Sequence, residues 1–595
     1  MKKAMVLLAL SLNSFASDVD LDPVVVGSKQ ESKLSELNSQ ALIITSEEIE
    51  NRSNSRVVDV LNRAGGVDIV QNGVVGGTSS LFLRGMESRH VLVLIDGVRM
   101  YDPTIADRSI NLSILNTLDI ERIEVIKGAQ SVLYGSDAIA GVINIITKKD
   151  DEKNSVQVAG GYYQQVGVNQ NLKTDSAGNF KFNGSLQESK FISSAKDGNE
   201  KDLNNNSNIT LGHFYKKNRL EFQTQIKQVN NFNYTDAQIS TPEDDNDAYA
   251  KDIYGLFHEG ITYHHDQKTD VFFDISYSEY TRYNKYLSTA PSTYGVSDAE
   301  GSITNIEFRL KEKKDNGVLL YGLQSIGEDY EKAGSDKESL SMFDAYGVRK
   351  YVLGSHIYEY GLRYTTNPEY GKHLVYSLGY NYLIDENRTL KFGHKTGFKA
   401  PSIYHQTDVY SGNPDLAPEK SAGADVEYSQ RNKNTEFYTS LFYNSVDQLI
   451  QYSSATSKFE NVNNAKYWGA EFGIEIRDAY GIAGANLTLT QYELSNGKEA
   501  YRRPNEILKL NYLFFAGEAH SFNFDWVYRG AAFDSVNQQD VELKAYDLMN
   551  FDYTYDANQF KLIGSIKNIF DREYETIAGY STLGRAVELT VVSYY

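Results

Sequence analysis

Oxygen-bearing side chains crowd two stretches of this 595-residue chain. Asp197, Asn199 and Asp202 lie in KDGNEKD; Tyr234 and Asp236 lie in NYTDA, and Asp247 in EDDNDAY. Such carboxylates, amides and hydroxyls are hard ligands, and calcium takes about six to eight of them. The plain alternative is solvated acidic loops on an acidic protein. There is no cysteine, which excludes disulfides and thiolate metal sites. The 10 histidines form no recognisable pairing with a nucleophile. Neither a G-x-S-x-G elbow nor a G-x-x-x-x-G-K-[ST] phosphate loop occurs. The residue set therefore points to binding, not catalysis, with no nucleotide site and no covalent cofactor.

The elements that must position these residues are strands. From about Ser155 the chain alternates with period two: Leu220, Phe222, Thr224 and Ile226 interleave with Glu221, Gln223, Gln225 and Lys227, and Phe522, Phe524, Trp526 and Tyr528 with Ser521, Asn523, Asp525 and Val527. Such strands have one apolar and one polar face. Asn, Asp, Gly, Ser and Lys stretches of varying length separate them. Tyrosine is used 44 times and tryptophan twice, the aromatic supply a membrane barrel needs for its girdles. The net charge of -20, pI near 5.1 and mean hydropathy of -0.46 argue against nucleic-acid binding. They also suit a barrel whose lumen and outer loops are wet. Lys2 and Lys3, the apolar run Ala4–Leu12 and small residues up to Ala16 read as a secretory signal peptide. A C-terminal strand ends on Tyr595.

Between these regions lies a glycine-bearing block of mixed α/β character, residues 41–149. Thr45 and Glu48 have capping-box spacing, and a helical pattern through Val57, Val58 and Leu61 stops at Gly65-Gly66. Ala41–Ile44, Val67–Val70, Leu81–Leu83, Val91–Ile95 and Val142–Ile146 read as short strands, most apolar on both faces and hence buried. A small domain before a long barrel reads as a stopper in its lumen. The expected organisation is a signal peptide (1–16), a periplasmic segment (17–40), a plug (41–149) and a transmembrane barrel (150–595). The fold class is an all-β membrane protein with about 22 antiparallel strands.

The motifs resemble those of the TonB-dependent outer-membrane receptors. DPVVVGS, which is Asp22, Pro23, Val24, Val25, Val26, Gly27 and Ser28, resembles the TonB box. LFLRGMESRHVLVLIDGVRM and IEVIKGAQSVLYGSDAIAGVINIITKK resemble the plug signatures, FKAPSIYHQTDVYSGNPDLAPEKS a paired barrel motif, and NIFDREYETIAGYSTLGRAVELTVVSYY the C-terminal signature. Within the family, the plug phrases and the tail read most like the cobalamin receptors. The resemblance implies active import across the bacterial outer membrane, powered by TonB, which would capture the box as an added strand. Other implied partners are cobalamin or a similar large chelate, outer-membrane lipid, and a surface lipoprotein or periplasmic binding protein.

By position, the resemblance places ligand contacts at Asn72, Thr78 and Ser80 in a first plug loop, Glu87 in a second, and Ile105 and Ala106 in a third. It implies calcium at the acidic stretches, and plug charges Arg84, Glu121, Arg122 and Glu124 paired with wall acids. His405, between FKAP and NPDLAPE, lies where haem receptors of the family place a haem ligand. Haem and ferric-siderophore uptake are therefore the alternatives to cobalamin. A passive porin or adhesin-like barrel is the alternative from a different class.

Overall fold

The computed structural model describes residues 24–25, 29, 32–51, 56–73, 75–149, 153–196, 198, 201–234, 248–287, 294–462 and 464–595. The signal peptide and Asp22, Pro23, Val26, Gly27 and Ser28 lie outside the described residues.

The plug is built on a five-stranded sheet in the order Ala41–Thr45, Ile120–Lys127, Gly141–Thr147, Val91–Ile95, Val98–Met100. Only the pair Val91–Ile95 with Gly141–Thr147 is parallel. Both strands are buried along their whole length, as their continuous apolar sequence requires. Asp96 and Gly97 both take positive φ, 49° and 85°, and close a two-residue hairpin onto Val98–Met100. That is the Asp-Gly preference of a tight hairpin turn. The Asp96 carboxylate also accepts from the Thr147 amide at 2.9 Å and its hydroxyl at 2.7 Å, tying the turn to the neighbouring strand.

Thr45 and Glu48 form the expected capping box, but the helix it starts spans only Ser46–Glu50. A second helix, Val57–Leu61, begins afresh after Arg56. The single helical pattern expected through Leu61 is thus corrected to two short helices. The Asn51 amide bonds back to Glu47, and Arg56 forms a bridge to Asn116. Val57–Leu61 packs against Leu112–Ile114.

Twenty-two antiparallel strands close into a barrel around the plug; closure pairs Ser155–Gly161 with Ala586–Tyr594, Ser155 standing opposite Tyr594. Connections at one end are tight, such as Asn218-Arg219 between Leu203–Lys217 and Leu220–Tyr234. At the other end they are long, such as residues 400–418 with the helix Ile403–Thr407. Barrels of this kind place short turns in the periplasm and long loops outside. Burial is inverted relative to a water-soluble sheet: Leu186 and Leu374 are 67% and 66% exposed on the wall, whereas Asn183 and Asp552 are 1% exposed toward the lumen. A wall with that polarity is solvated by lipid.

Candidate functional site: the plug and its two ends

All three plug loops reach the outer end of the barrel. In the first, the Asn72 amide donates to the Thr78 carbonyl at 2.9 Å, closing the turn, and Asn111 Oδ1 holds its base through the Ser79 amide (3.1 Å) and hydroxyl (2.9 Å). Asn72 and Ser80 are half-buried and Thr78 is exposed. In the second loop, Glu87 pairs with Arg89 at 2.5 Å and with Arg503 of the outer wall at 3.1 Å. Burial would raise the Glu87 pKa, but the two guanidinium groups outweigh it and hold the carboxyl down at about 2. Glu87 is therefore an ionised brace between plug and wall at neutral pH. Ile105 and Ala106, in the third loop, are half-buried. Arg89 joins the second loop to the third and to the wall, reaching Asp107 at 3.7 Å and the Ile450 carbonyl at 2.6 Å. Arg89, Arg503 and Arg108 were not singled out from sequence; RGMESRH carried the only hint, a charge cluster inside an apolar block.

The plug is keyed to the wall by buried ion pairs. Arg84 and Lys127 share Glu471, at 2.9 and 3.1 Å. Gly66 faces the same carboxylate, and a Cβ there would collide with Glu471 and Lys127, so only glycine fits. Arg108 meets Glu328 at 3.1 Å, and Asp68 meets Arg529 at 3.0 Å. Arg84 thus takes a wall acid as expected. Arg122 does not pair with the wall; it bridges Glu121 and Glu124 of its own strand at 2.6 and 3.0 Å. Desolvation of buried ions offsets most of their mutual attraction. Such a seam therefore selects a register without binding the plug irreversibly.

At the inner end, Val24–Val25 forms a two-residue antiparallel ladder with Ser32–Lys33. Between them Lys29, in the left-handed region at φ 55°, sends its ammonium into the lumen. It pairs with Glu307 of the wall and lies 5.0 and 5.1 Å from the ring centres of Tyr134 and Tyr346. Tyr346 also donates to Glu307 at 2.7 Å. Burial lowers the Lys29 pKa to about 8, with Glu307 only partly opposing it. Further along, Glu36 pairs with Lys350 at 2.7 Å, and Lys391 donates to the Leu34 carbonyl at 3.0 Å. The segment that follows the box is therefore fixed to the wall at several points.

The acidic stretches enter only in part. Asp202 is buried, and its carboxylate accepts from the Ser194 amide at 2.6 Å, bracing its own loop. Tyr234 packs edge-on against Phe232, with ring centres 5.2 Å apart. Asp197, Asn199, Asp236 and Asp247 lie outside the described residues, and among the described residues no three His, Cys, Asp or Glu side chains gather as a metal site. Because Asp202 is directed at the Ser194 amide, the described donors do not by themselves make a calcium site. His405 is 1% exposed, lying under Phe459 with ring centres 4.6 Å apart, and its Nδ1 accepts from the Ser402 amide at 3.2 Å. Burial, then Arg89, Lys399 and Arg108, lower its pKa to about 2, so it is neutral and serves the cap of its short helix.

A lipid-facing barrel, a plug keyed into its lumen and a tethered strand at its inner mouth define a gated outer-membrane transporter rather than an enzyme. Residues 33–142 match the TonB-dependent Receptor Plug Domain, and residues 149–569 match the TonB dependent receptor-like beta-barrel. The chain belongs to the TonB-dependent receptor family. It is similar to the Vitamin B12 transporter BtuB of Vibrio cholerae serotype O1, with 27% identity over 96% of this chain and 94% of that protein. Among solved structures it is similar in fold to the siderophore receptor PirA of Acinetobacter baumannii (TM-score 0.81, 17% identity, 94% of this chain and 99% of that one). It is likewise similar to a mutant of the ferric enterobactin receptor PfeA of Pseudomonas aeruginosa (TM-score 0.82, 16% identity, 93% and 98%). At those identities the likeness concerns fold alone.

Proposed function

We propose that the cargo imported by this TonB-dependent receptor is cobalamin. The observation that carries the reading is the end-to-end likeness to vitamin B12 transporters, 27% identical over nearly the full length of both chains. The three plug loops present amide, hydroxyl and aliphatic groups at Asn72, Thr78, Ser80, Ile105 and Ala106, a mixture suited to the amide side chains and apolar edges of a corrin. Glu87 has a different part: committed to Arg89 and Arg503, it fixes the second loop. Loaded loops bias the plug, and TonB captures the strand at Val24–Val25 once it separates from Ser32–Lys33, a population shift that requires differential affinity. Calcium would order the loops bearing Asp197, Asn199, Tyr234, Asp236 and Asp247, with Asp202 bracing one of them through the Ser194 amide, and so sharpen binding.

Binding of cyanocobalamin, haem and a ferric catecholate siderophore to isolated outer membranes, with and without a calcium chelator, tests the reading. Saturable cyanocobalamin binding that weakens on chelation is expected. Tight haem or siderophore binding with none for cyanocobalamin would overturn it. Haem binding is disfavoured by the burial of His405 beneath Phe459, which keeps its imidazole from the open lumen.

A further inference from the structure

The plug does not fill the periplasmic half of the lumen evenly. A cavity of about 950 Å³ lies between the plug and the wall strands from Leu203–Lys217 to Tyr294–Lys314. That falls within the ~300–1,000 Å³ of ligand sites. Its mouth is at the tight turns, where Lys216, Asp266 and Gln267 line it. Asn305, Glu307, Arg309, Lys311 and Lys313, alternate residues of one strand, line it from top to bottom. At about 3.3 Å per residue and a tilt of about 40°, that run is ~20 Å long. Its charges answer one another: Arg309 meets Asp274 at 2.6 Å and Glu307 at 3.5 Å, and His258 meets Asp274 at 3.3 Å. The Arg309 guanidinium lies over Phe272, 4.9 Å from the ring centre. Paired charges beside aromatic faces suit a chelate edged with neutral amides, and they leave little net charge to neutralise a polyanion.

Two features set this cavity apart. Lys29 is part of its wall, together with Glu307 and Tyr134. The segment that carries the box therefore helps to close the cavity, and its withdrawal would uncover Glu307 and Tyr134. The plug also crosses to the wall here by hydrogen bonds, Gln225 to Asp96 at 2.8 Å and Lys149 to Gln223 at 3.0 Å. Above the cavity, Tyr254, Leu256, Tyr280 and Ile303 of the wall join the plug's apolar core, with Asp102 meeting Arg282 at 2.9 Å. Apolar contact is non-directional and imposes no register. A smaller cavity of about 390 Å³, beside the closing strands, is spanned instead by Glu50, which meets Lys148 at 2.7 Å and Lys561 at 3.4 Å.

We propose that the larger cavity is a second cargo site, the inner station from which an amide-bearing chelate leaves for the periplasm, and that it opens when Lys29 is withdrawn. The inference rests on the import reading above and takes its cargo from it. Cargo passes along the wall strands of residues 203–314, while the ion-paired seam at Glu471 and Arg529 stays closed.

The test uses cells carrying the full-length receptor with one cysteine, either Thr262→Cys in this cavity or Gln157→Cys in the smaller one; the native chain has none. Uptake and surface binding of cyanocobalamin are measured before and after labelling with fluorescein maleimide. Labelling of Thr262→Cys is expected to lower uptake at least tenfold with surface binding unchanged, and labelling of Gln157→Cys to lower it less than twofold. Cyanocobalamin given to energised cells is also expected to slow the labelling of Thr262→Cys at least threefold, which reads occupancy of the site directly. Undiminished uptake after complete labelling of Thr262→Cys, or an equal loss in both variants, would overturn the proposal. Should the receptor bind haem or a ferric catecholate and no cyanocobalamin, the cargo reading alone fails, and the same comparison with the bound chelate decides the path.

Discussion

Lys29 and Glu307 are 278 residues apart in sequence, yet they form a buried ion pair that joins the box-bearing segment to the barrel wall. The tether sits four residues beyond Val25, so any force that extends the box meets this pair early. Removing one partner of a buried pair leaves the other uncompensated, a cost of about 3–5 kcal/mol. Glu307→Gln is therefore expected to release the inner segment. With no native cysteine, a probe on Val25→Cys reports the change without background, and faster labelling or a mobile spin-label spectrum checks it.

The same tether predicts an alkaline response. Burial brings its lysine down to about 8 in the docked state, below the ordinary lysine value of 10.5. Between those values the undocked segment holds more protons, so docking strengthens as pH rises from about 8 to about 10.5; below about 8 this group contributes no slope. Labelling of Val25→Cys, corrected for the probe's own pH dependence, should slow across that window in the wild type and lose the effect in Lys29→Met.

Acid acts at the other side of the plug. Glu87 and Asp137 both titrate near 2: burial would raise each, but Arg89 and Arg503 outweigh it for the former, and Lys399, Arg108 and Arg99 for the latter. Depressed carboxyl values add stability that is full above the ordinary values of 4.5 and 3.8 and is lost as pH falls through about 2. Protease protection of the plug should decline over that interval, and less steeply in Glu87→Gln.

Glu471 answers two cations from the plug, and Glu471→Ala strands both. Weakening of plug docking by about 3–5 kcal/mol is expected, read as easier extraction of the plug in urea with the barrel intact. Arg84→Met combined with Lys127→Met and Glu471→Leu should recover most of it, because the seam would then bury no unpaired charge.

At the outer end, Asn72→Ala removes one side-chain amide from the first loop while leaving the backbone bond to Thr78 in place. Cyanocobalamin affinity is expected to fall about fivefold, or ~1 kcal/mol, in equilibrium titration of the purified receptor.

Much of this architecture was legible because it depends on local pattern. Continuous apolar runs gave the plug's buried strands, and period-two alternation the wall, whose strand count of 22 agrees with the sequence estimate; the Asp96-Gly97 hairpin onto Val98–Met100 went unread. Helix extent was less legible: the capping box at Thr45 starts a helix over Ser46–Glu50, and the apolar pattern through Leu61 forms a separate one, Val57–Leu61, after Arg56, which bridges Asn116. The partners at the seam were not legible at all. Glu307 and Glu471 occupy lumen positions that alternate exactly as any polar wall residue does, and their cations lie 278 and 387 residues away from them. The conspicuous acids drew more attention in the sequence, yet Asp202 braces its own loop.

The central claim, TonB-driven import of cobalamin, is tested most directly by uptake of radiolabelled cyanocobalamin into cells carrying either the wild-type receptor or a deletion of residues 22–28. The expected result is equal surface binding in both strains, with accumulation only in the wild type. Undiminished accumulation in the deletion strain, or no cyanocobalamin bound by either, would contradict it.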